Sequence, residues 1–112
     1  MKFGCTCGES IIDQTDYLPN KAHFIADQDW FVLSEALYKV IKESGTTAEE
    51  KEQAYRDFDR LILHKLTRLI YQCPSCGRVY FENNSKDPTL QEYTKSEPYQ
   101  GKSILASISS TE

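Results

Sequence analysis

Two short stretches, Cys5-Thr6-Cys7-Gly8 and Cys73-Pro74-Ser75-Cys76-Gly77, decide the fold expected of this chain. Together they hold all 4 of its cysteines, and each ends in Cys-Gly. A metal knuckle needs the chain to fold back so that amides point at the thiolates, and a glycine after the last cysteine accepts the positive φ this requires. Four thiolates at tetrahedral positions form the closed, structural coordination of zinc, with no position open to substrate or water. One structural zinc ion held by Cys5, Cys7, Cys73 and Cys76 is therefore the expected cofactor, although four thiolates suit iron as well.

Three other readings compete. Two disulfides would add little to a chain long enough to build a core, and they suit an oxidising compartment. A thioredoxin-like pair would use Cys73 and Cys76 alone and wants a helix after them, whereas Arg78-Val79-Tyr80-Phe81 reads as a strand. Chance pairing is the bland alternative. The first pair is Cys-x-Cys, tighter than the usual Cys-x-x-Cys, so its geometry is the less certain of the two.

Working outward, Lys2 to Cys5 and Glu9 to Asp13 flank the first knuckle as a small hairpin, and Gln14 to Asn20 is rich in turn residues. Lys21 to Ala26 reads as a strand. From Asp29 the apolar period becomes helical: Trp30, Leu33, Leu37, Val40 and Ile41 share a stripe, Asp27 or Asp29 caps its start, and Gly45 stands where it would stop. Thr47-Ala48-Glu49-Glu50 has capping-box spacing, and Tyr55, Phe58, Ile62, Leu66 and Leu69 repeat along one face of a second helix. Helices joined so closely run antiparallel and pack on one another. Leu69 to Cys73 and Arg78 to Glu82 then form a second hairpin around the second knuckle, and Leu90 to Thr94 adds a further strand. Asn83-Asn84, Asp87-Pro88 and Glu97-Pro98 act as breakers, and Ser103 to Glu112 is expected to be loosely held, tacked by Ile104 and Leu105.

The expected fold class is α+β: zinc-ribbon-like β-hairpins with an inserted antiparallel helical hairpin. It forms a single domain over residues 1–95, with the insertion at about 29–67 and a polar tail over 96–112. The length of 112 residues leaves no room for a second full-sized core. No run approaches the roughly 18 apolar residues of a membrane span. The opening Met1-Lys2-Phe3-Gly4-Cys5 lacks the apolar run and cleavage site of a signal peptide, so a cytoplasmic protein is expected.

Enzyme signatures are sparse. There is no G-x-S-x-G, no phosphate loop and no H-E-x-x-H, and the two histidines, His23 and His64, are far apart and read as packing or surface residues. The expectation is a protein that is not an enzyme. Charge is more useful. Thirteen basic against 17 acidic residues give a net charge of -4, which argues against a nucleic-acid binder. From Glu9 to Glu35 the acids Glu9, Asp13, Asp16, Asp27, Asp29 and Glu35 face Lys21 alone, whereas Arg60, Lys65, Arg68 and Arg78 lie in a stretch without acids. Four thiolates on one divalent ion would take the charge to about -6. Phe31 and Tyr38 fall off the first helix's main stripe, beside Glu35 and Lys42. They are either covered by the rest of the chain or form an aromatic strip edged by Asp27, Asp29 and Glu35, the composition of a partner-binding site.

Cys5-Thr6-Cys7-Gly8, Tyr17 to His23, Asp27-Gln28-Asp29-Trp30-Phe31, Ile70-Tyr71-Gln72-Cys73 and Cys76-Gly77-Arg78-Val79-Tyr80 together resemble a group of small bacterial zinc-ribbon-like proteins, over roughly residues 3–82. By size, acidity and lack of catalytic motifs the chain also resembles immunity proteins that neutralise interbacterial toxins. That resemblance implies a protein partner, a basic toxin, and the surface expected to meet it is the strip read above from charge and periodicity, Asp27, Asp29, Phe31, Glu35 and Tyr38. The alternatives are a nucleic-acid-binding ribbon using Arg60, Lys65, Arg68 and Arg78, and a redox or metal-handling protein with reactive thiols at Cys5 or Cys76.

Overall fold

The computed structural model describes residues 1–84, 87–101 and 103–108, with the side chains of residues 84, 87 and 88 left aside. Its fold is α+β, with two antiparallel sheets and two α-helices, in the order β1 (Lys2–Gly4), β2 (Ser10–Ile12), β3 (Lys21–Phe24), α1 (Trp30–Glu43), α2 (Ala48–Leu61), β4 (Arg68–Gln72), β5 (Val79–Asn84) and β6 (Asp87–Tyr93). The chain divides into two compact units, Met1–His23 with Leu69–Glu112, and Phe24–Arg68.

In the first unit β1 and β2 pair around the first knuckle, with Phe3 opposite Ile11. The second sheet has the order β3-β4-β5-β6, and β4 pairs with β5 around the second knuckle, with Tyr71 opposite Tyr80. The core is small and aromatic: Cys5, Ile11, Tyr71, Cys73 and Tyr80 are buried, with Phe3, Leu69, Cys76 and Leu90 packed against them. The Phe3 ring meets Tyr71 and Tyr80 edge-on, with centroids 5.4 and 5.1 Å away. Such pairs add to simple area burial because ring edges are electropositive and faces electronegative.

The sheet is larger than the sequence pattern suggests. The polar, proline-bearing stretch after Asn83 reads as a break, yet β5 runs to Asn84 and β6 starts at Asp87. An edge strand tolerates Pro88 because one side of its backbone needs no ladder partner. A register shift between Glu82 and Asn84 marks where the β5-β6 pairing becomes irregular. The tail returns to the first unit: Ser103 Oγ donates to the Pro19 carbonyl and the Ile104 N–H donates to Gln72 Oε1. Ile104 thus contributes its backbone N–H and not its side chain, which is exposed, while Leu105 is half-buried. Residues 109–112, where the loose end is expected, lie outside the described residues.

In the second unit α1 follows a 3₁₀ turn, Asp27–Asp29, and neither aspartate caps α1 through its side chain. For α2 the capping box forms: Thr47 Oγ1 accepts from the Glu50 N–H at 3.1 Å, and the Glu50 carboxylate accepts from the Thr47 N–H at 3.3 Å. A π-helical turn, Ile62–Leu66, ends the helix, and Thr67 turns extended, so Leu69 belongs to β4 rather than to the helical stripe. Ala36 and Val40 of α1 and Ala54, Phe58 and Leu61 of α2 line a shallow cleft between the two helices. The cleft is rotated away from the expected stripe. Leu33 and Val40 are half-buried, but Trp30, Leu37, Ile41 and Tyr55 are exposed.

Among the described residues no helix is long and apolar enough to cross a membrane.

Candidate metal centre

Each knuckle is built by its own backbone. In the first, the Cys5 N–H donates to the Glu9 carbonyl at 2.7 Å and the Gly8 N–H to the Cys5 carbonyl at 2.9 Å. In the second, the Cys73 N–H donates to the Arg78 carbonyl at 2.8 Å and the Gly77 N–H to the Cys73 carbonyl at 2.9 Å. The missing residue of Cys-x-Cys is absorbed by closing the turn one residue earlier, onto the same kind of acceptor. Both closures depend on glycine: φ is +100° at Gly8 and +80° at Gly77, where other residues pay steric strain.

The two hairpins bring all four sulfurs within 4.8 Å of one another. Cys5 Sγ lies 3.5 Å from Cys76 Sγ, and Cys7 Sγ lies 3.6 Å from Cys73 Sγ. Metal–sulfur bonds of about 2.3 Å at a tetrahedral centre place sulfurs about 3.8 Å apart, so the group fits a tetrahedral thiolate site and could hold a metal ion. All four cysteines are free of disulfides. Cys5 and Cys73 are buried, Cys76 is half-buried and Cys7 is exposed.

Neighbouring groups support charge on the sulfurs. The Tyr80 hydroxyl donates to Cys5 Sγ at 3.2 Å and accepts from the Thr6 N–H at 3.3 Å. Arg78 Nη1 donates to Cys76 Sγ at 3.2 Å. Glu92 on β6 ties the two knuckles: its Oε1 accepts from Thr6 Oγ1 at 2.7 Å and pairs with Arg78 Nε at 3.0 Å. Such outer partners orient ligands and tune a metal site.

The thiols divide accordingly. Burial pushes Cys5 up, but hydrogen bonds from the Cys7 N–H, the Tyr80 hydroxyl and the neighbouring thiols outweigh it and bring the group down to about 6. For Cys76, burial is likewise overcome, by the Arg78 N–H and guanidinium, and the thiol is lowered. Burial pushes Cys73 up to about 12, against the N–H groups of Cys76 and Ser75. Cys7 is lowered by the Glu9 N–H but ends raised, because the Cys5 and Cys76 sulfurs beside it resist a further negative charge. Two sulfurs are thus disposed to ionise beside two that resist it, Cys73 through burial and Cys7 through the sulfurs next to it, and a divalent cation bound among them would favour the thiolate at all four. Burial also pushes the Tyr80 phenol up to about 12, which keeps it a donor to Cys5 at neutral pH.

Tyr80, Thr6 and Glu92 are not among the site residues expected from the sequence, and Arg78 is expected there only as part of a basic face. For Arg78 and Tyr80 the one signal is their two-residue spacing just beyond the second knuckle, where a strand is expected.

The other residues expected to bind something lie in the second unit. Asp27 is exposed and Asp29 half-buried in the 3₁₀ turn, and Phe31, Glu35 and Tyr38 are exposed on α1. Phe31 is 74 % and Tyr38 61 % exposed, so the strip is uncovered, and the Lys42 ammonium sits 5.5 Å from the Tyr38 ring centre. Of the basic residues, Arg78 is held by Cys76 and Glu92, and the Arg68 guanidinium lies 4.5 Å from the Phe24 ring centre. His23 and His64 are exposed.

The chain belongs to the family DUF8617, described as a domain of unknown function, which matches residues 1–103. No match was found among curated proteins or among solved structures.

Proposed function

We propose that this chain is a non-enzymatic, zinc-stabilised protein-interaction module of the cytoplasm. In this reading Cys5, Cys7, Cys73 and Cys76 hold one structural zinc, and Asp27, Asp29, Phe31, Glu35 and Tyr38 meet a protein partner. The partner is a basic protein, in the sharpest form of the proposal a bacterial toxin that this chain neutralises as its immunity protein. The observation that carries the reading is the aromatic strip of α1, uncovered and edged by acids. Exposed aromatic anchors within a charged rim are the usual make-up of a binding hot spot, and an acidic rim speeds encounter with a basic partner.

A metal bound by all four thiolates has no open position, so it supplies folding energy rather than chemistry. The nucleic-acid alternative draws no support from the basic residues, since Arg78 is committed to Cys76 and Glu92 and Arg68 stacks on Phe24.

The test is to look for a toxin-domain gene immediately upstream of this chain's gene and to co-express its product with this chain. A stable, salt-sensitive complex that protects the host is expected, with Asp27→Lys, Asp29→Lys and Glu35→Lys together weakening it at least about tenfold. Unchanged affinity and salt dependence would refute the reading. Salt-sensitive binding to DNA or RNA at low ionic strength would favour the nucleic-acid reading instead.

A further inference from the structure

Helix α1 is apolar on more of its circumference than α2 covers. Leu33, Ala36 and Val40 are half-buried, while Trp30, Leu37 and Ile41 are 53, 46 and 69 % exposed. These three, with exposed Ser34, fall at positions 30, 34, 37 and 41, the alternating four-three spacing that keeps one stripe on one side of a helix. Phe31 and Tyr38 flank the stripe on one side, and Lys42 reaches over Tyr38 on that same flank. An apolar stripe of this size on a helix that already has one packed face is the mark of an interface.

The stripe is complementary to itself. Laid antiparallel on a second copy, Trp30 falls opposite Ile41 and Ser34 opposite Leu37, and the same two pairings recur in reverse, as a two-fold interface requires. Small Ser34 opposite Leu37 makes the two central layers the narrower ones, and bulky Trp30 opposite Ile41 makes the outer ones the wider. Charge agrees: exposed Asp27 precedes the N-terminus of α1 and Lys42 lies in its last turn. Antiparallel pairing brings each acid to the other copy's base, and sets each helix N-terminus beside a C-terminus. Among the described residues neither Asp27 nor Lys42 has an ion-pair partner in its own chain.

We propose that two copies of this chain associate through α1, antiparallel along Trp30, Ser34, Leu37 and Ile41, with Asp27 of each copy paired to Lys42 of the other. Glu35 lies on the same flank as Phe31, Tyr38 and Lys42, beside the stripe rather than on it. The dimer goes beyond the partner-binding reading and does not depend on it, because it forms from the chain alone.

The experiment is sedimentation equilibrium of the full, metal-loaded chain from about 1 to 300 µM, the range in which a modest interface associates. Trp30 is the protein's one tryptophan, so its emission is followed in parallel. The expected result is a mass twice the 12.9 kDa of one chain, with a blue shift of Trp30 emission as the dimer forms. Leu37→Glu and Ile41→Glu, each at an exposed position, should give monomers with unchanged far-ultraviolet circular dichroism. Asp27→Lys and Lys42→Asp should each weaken association about fivefold, and the two combined should restore it. A monomer at every concentration, a dimer that survives Leu37→Glu and Ile41→Glu, or a double charge swap no tighter than the single ones would overturn the proposal.

Discussion

Replacing Tyr71 by Phe removes a core hydroxyl that donates to a carboxylate, and the structure says what that should cost. The buried Tyr71 hydroxyl donates to Asp13 Oδ2 at 2.6 Å, while Lys21 Nζ pairs with Asp13 Oδ1 at 2.9 Å. Burial raises the Asp13 carboxyl, but the Tyr71 and Lys21 hydrogen bonds and the Lys21 charge outweigh it and hold the group below its ordinary value. A hydrogen bond to a charged group contributes about 1.5–3 kcal/mol, and the slight exposure of Asp13 argues for the middle of that range, about 2 kcal/mol. For 112 residues this corresponds to a melting shift of roughly 8 °C. Urea denaturation of the metal-saturated protein measures it, repeated with Asp13→Asn. In that background the bond is neutral and Tyr71→Phe should cost about 1 kcal/mol less. The pH dependence has a definite sign. A carboxyl whose folded value is depressed contributes stability above its unfolded value and loses it as pH falls through the folded one. The gap between wild type and Tyr71→Phe should therefore stay level from about pH 8 to 5 and shrink below about pH 4. A cost under about 0.5 kcal/mol at neutral pH, an equal cost in the Asp13→Asn background, or a gap that widens on acidification would refute the reasoning.

Two further substitutions probe the knuckles. Tyr80→Phe removes the donor to Cys5 Sγ and should weaken zinc binding about 10- to 100-fold in competition with a chromophoric chelator, the usual effect of losing an outer partner. Gly77→Ala and Gly8→Ala form a matched pair, since both glycines have positive φ but a Cβ at Gly77 would strike the Tyr99 ring whereas one at Gly8 meets nothing. Thermal melts should show about 1 kcal/mol of backbone strain at Gly8 and clearly more at Gly77, with Tyr99→Ala removing the excess; equal costs would mean the Tyr99 contact is unimportant.

What could be read from the sequence follows from how far apart the cooperating residues lie along the chain. The knuckles were legible because cysteine pairs followed by glycine state their geometry within five residues or fewer. The start of α2 was legible for the same reason, since Thr47 and Glu50 form a local motif. The outer partners of the sulfurs were not, because Glu92 reaches Thr6 only through the pairing of β6 with β5. Arg78 was read as part of a basic face, and nothing local reveals that it donates to Cys76 and pairs with Glu92. Of the apolar stripe of α1, Leu33 and Val40 are half-buried as a helix-packing face should be, whereas Trp30, Leu37 and Ile41 are left exposed. A helical period says which residues share a face, and the partner's own side chains, here Ala54, Phe58 and Leu61, decide which face is covered. The extent of the second sheet was missed for a related reason: a proline marks a break in a central strand but not at an edge, and edge position is a property of the assembled sheet.

The central claim is that the four cysteines form one closed metal site that fastens the two hairpins together. X-ray absorption at the metal edge, on protein purified without added metal and with its metal content measured, tests it most directly. The account predicts one zinc per chain with four sulfur neighbours at about 2.3 Å and no nitrogen or oxygen ligand. Protein that holds no stoichiometric metal, that holds iron, or that binds its zinc through fewer than four sulfurs would contradict it.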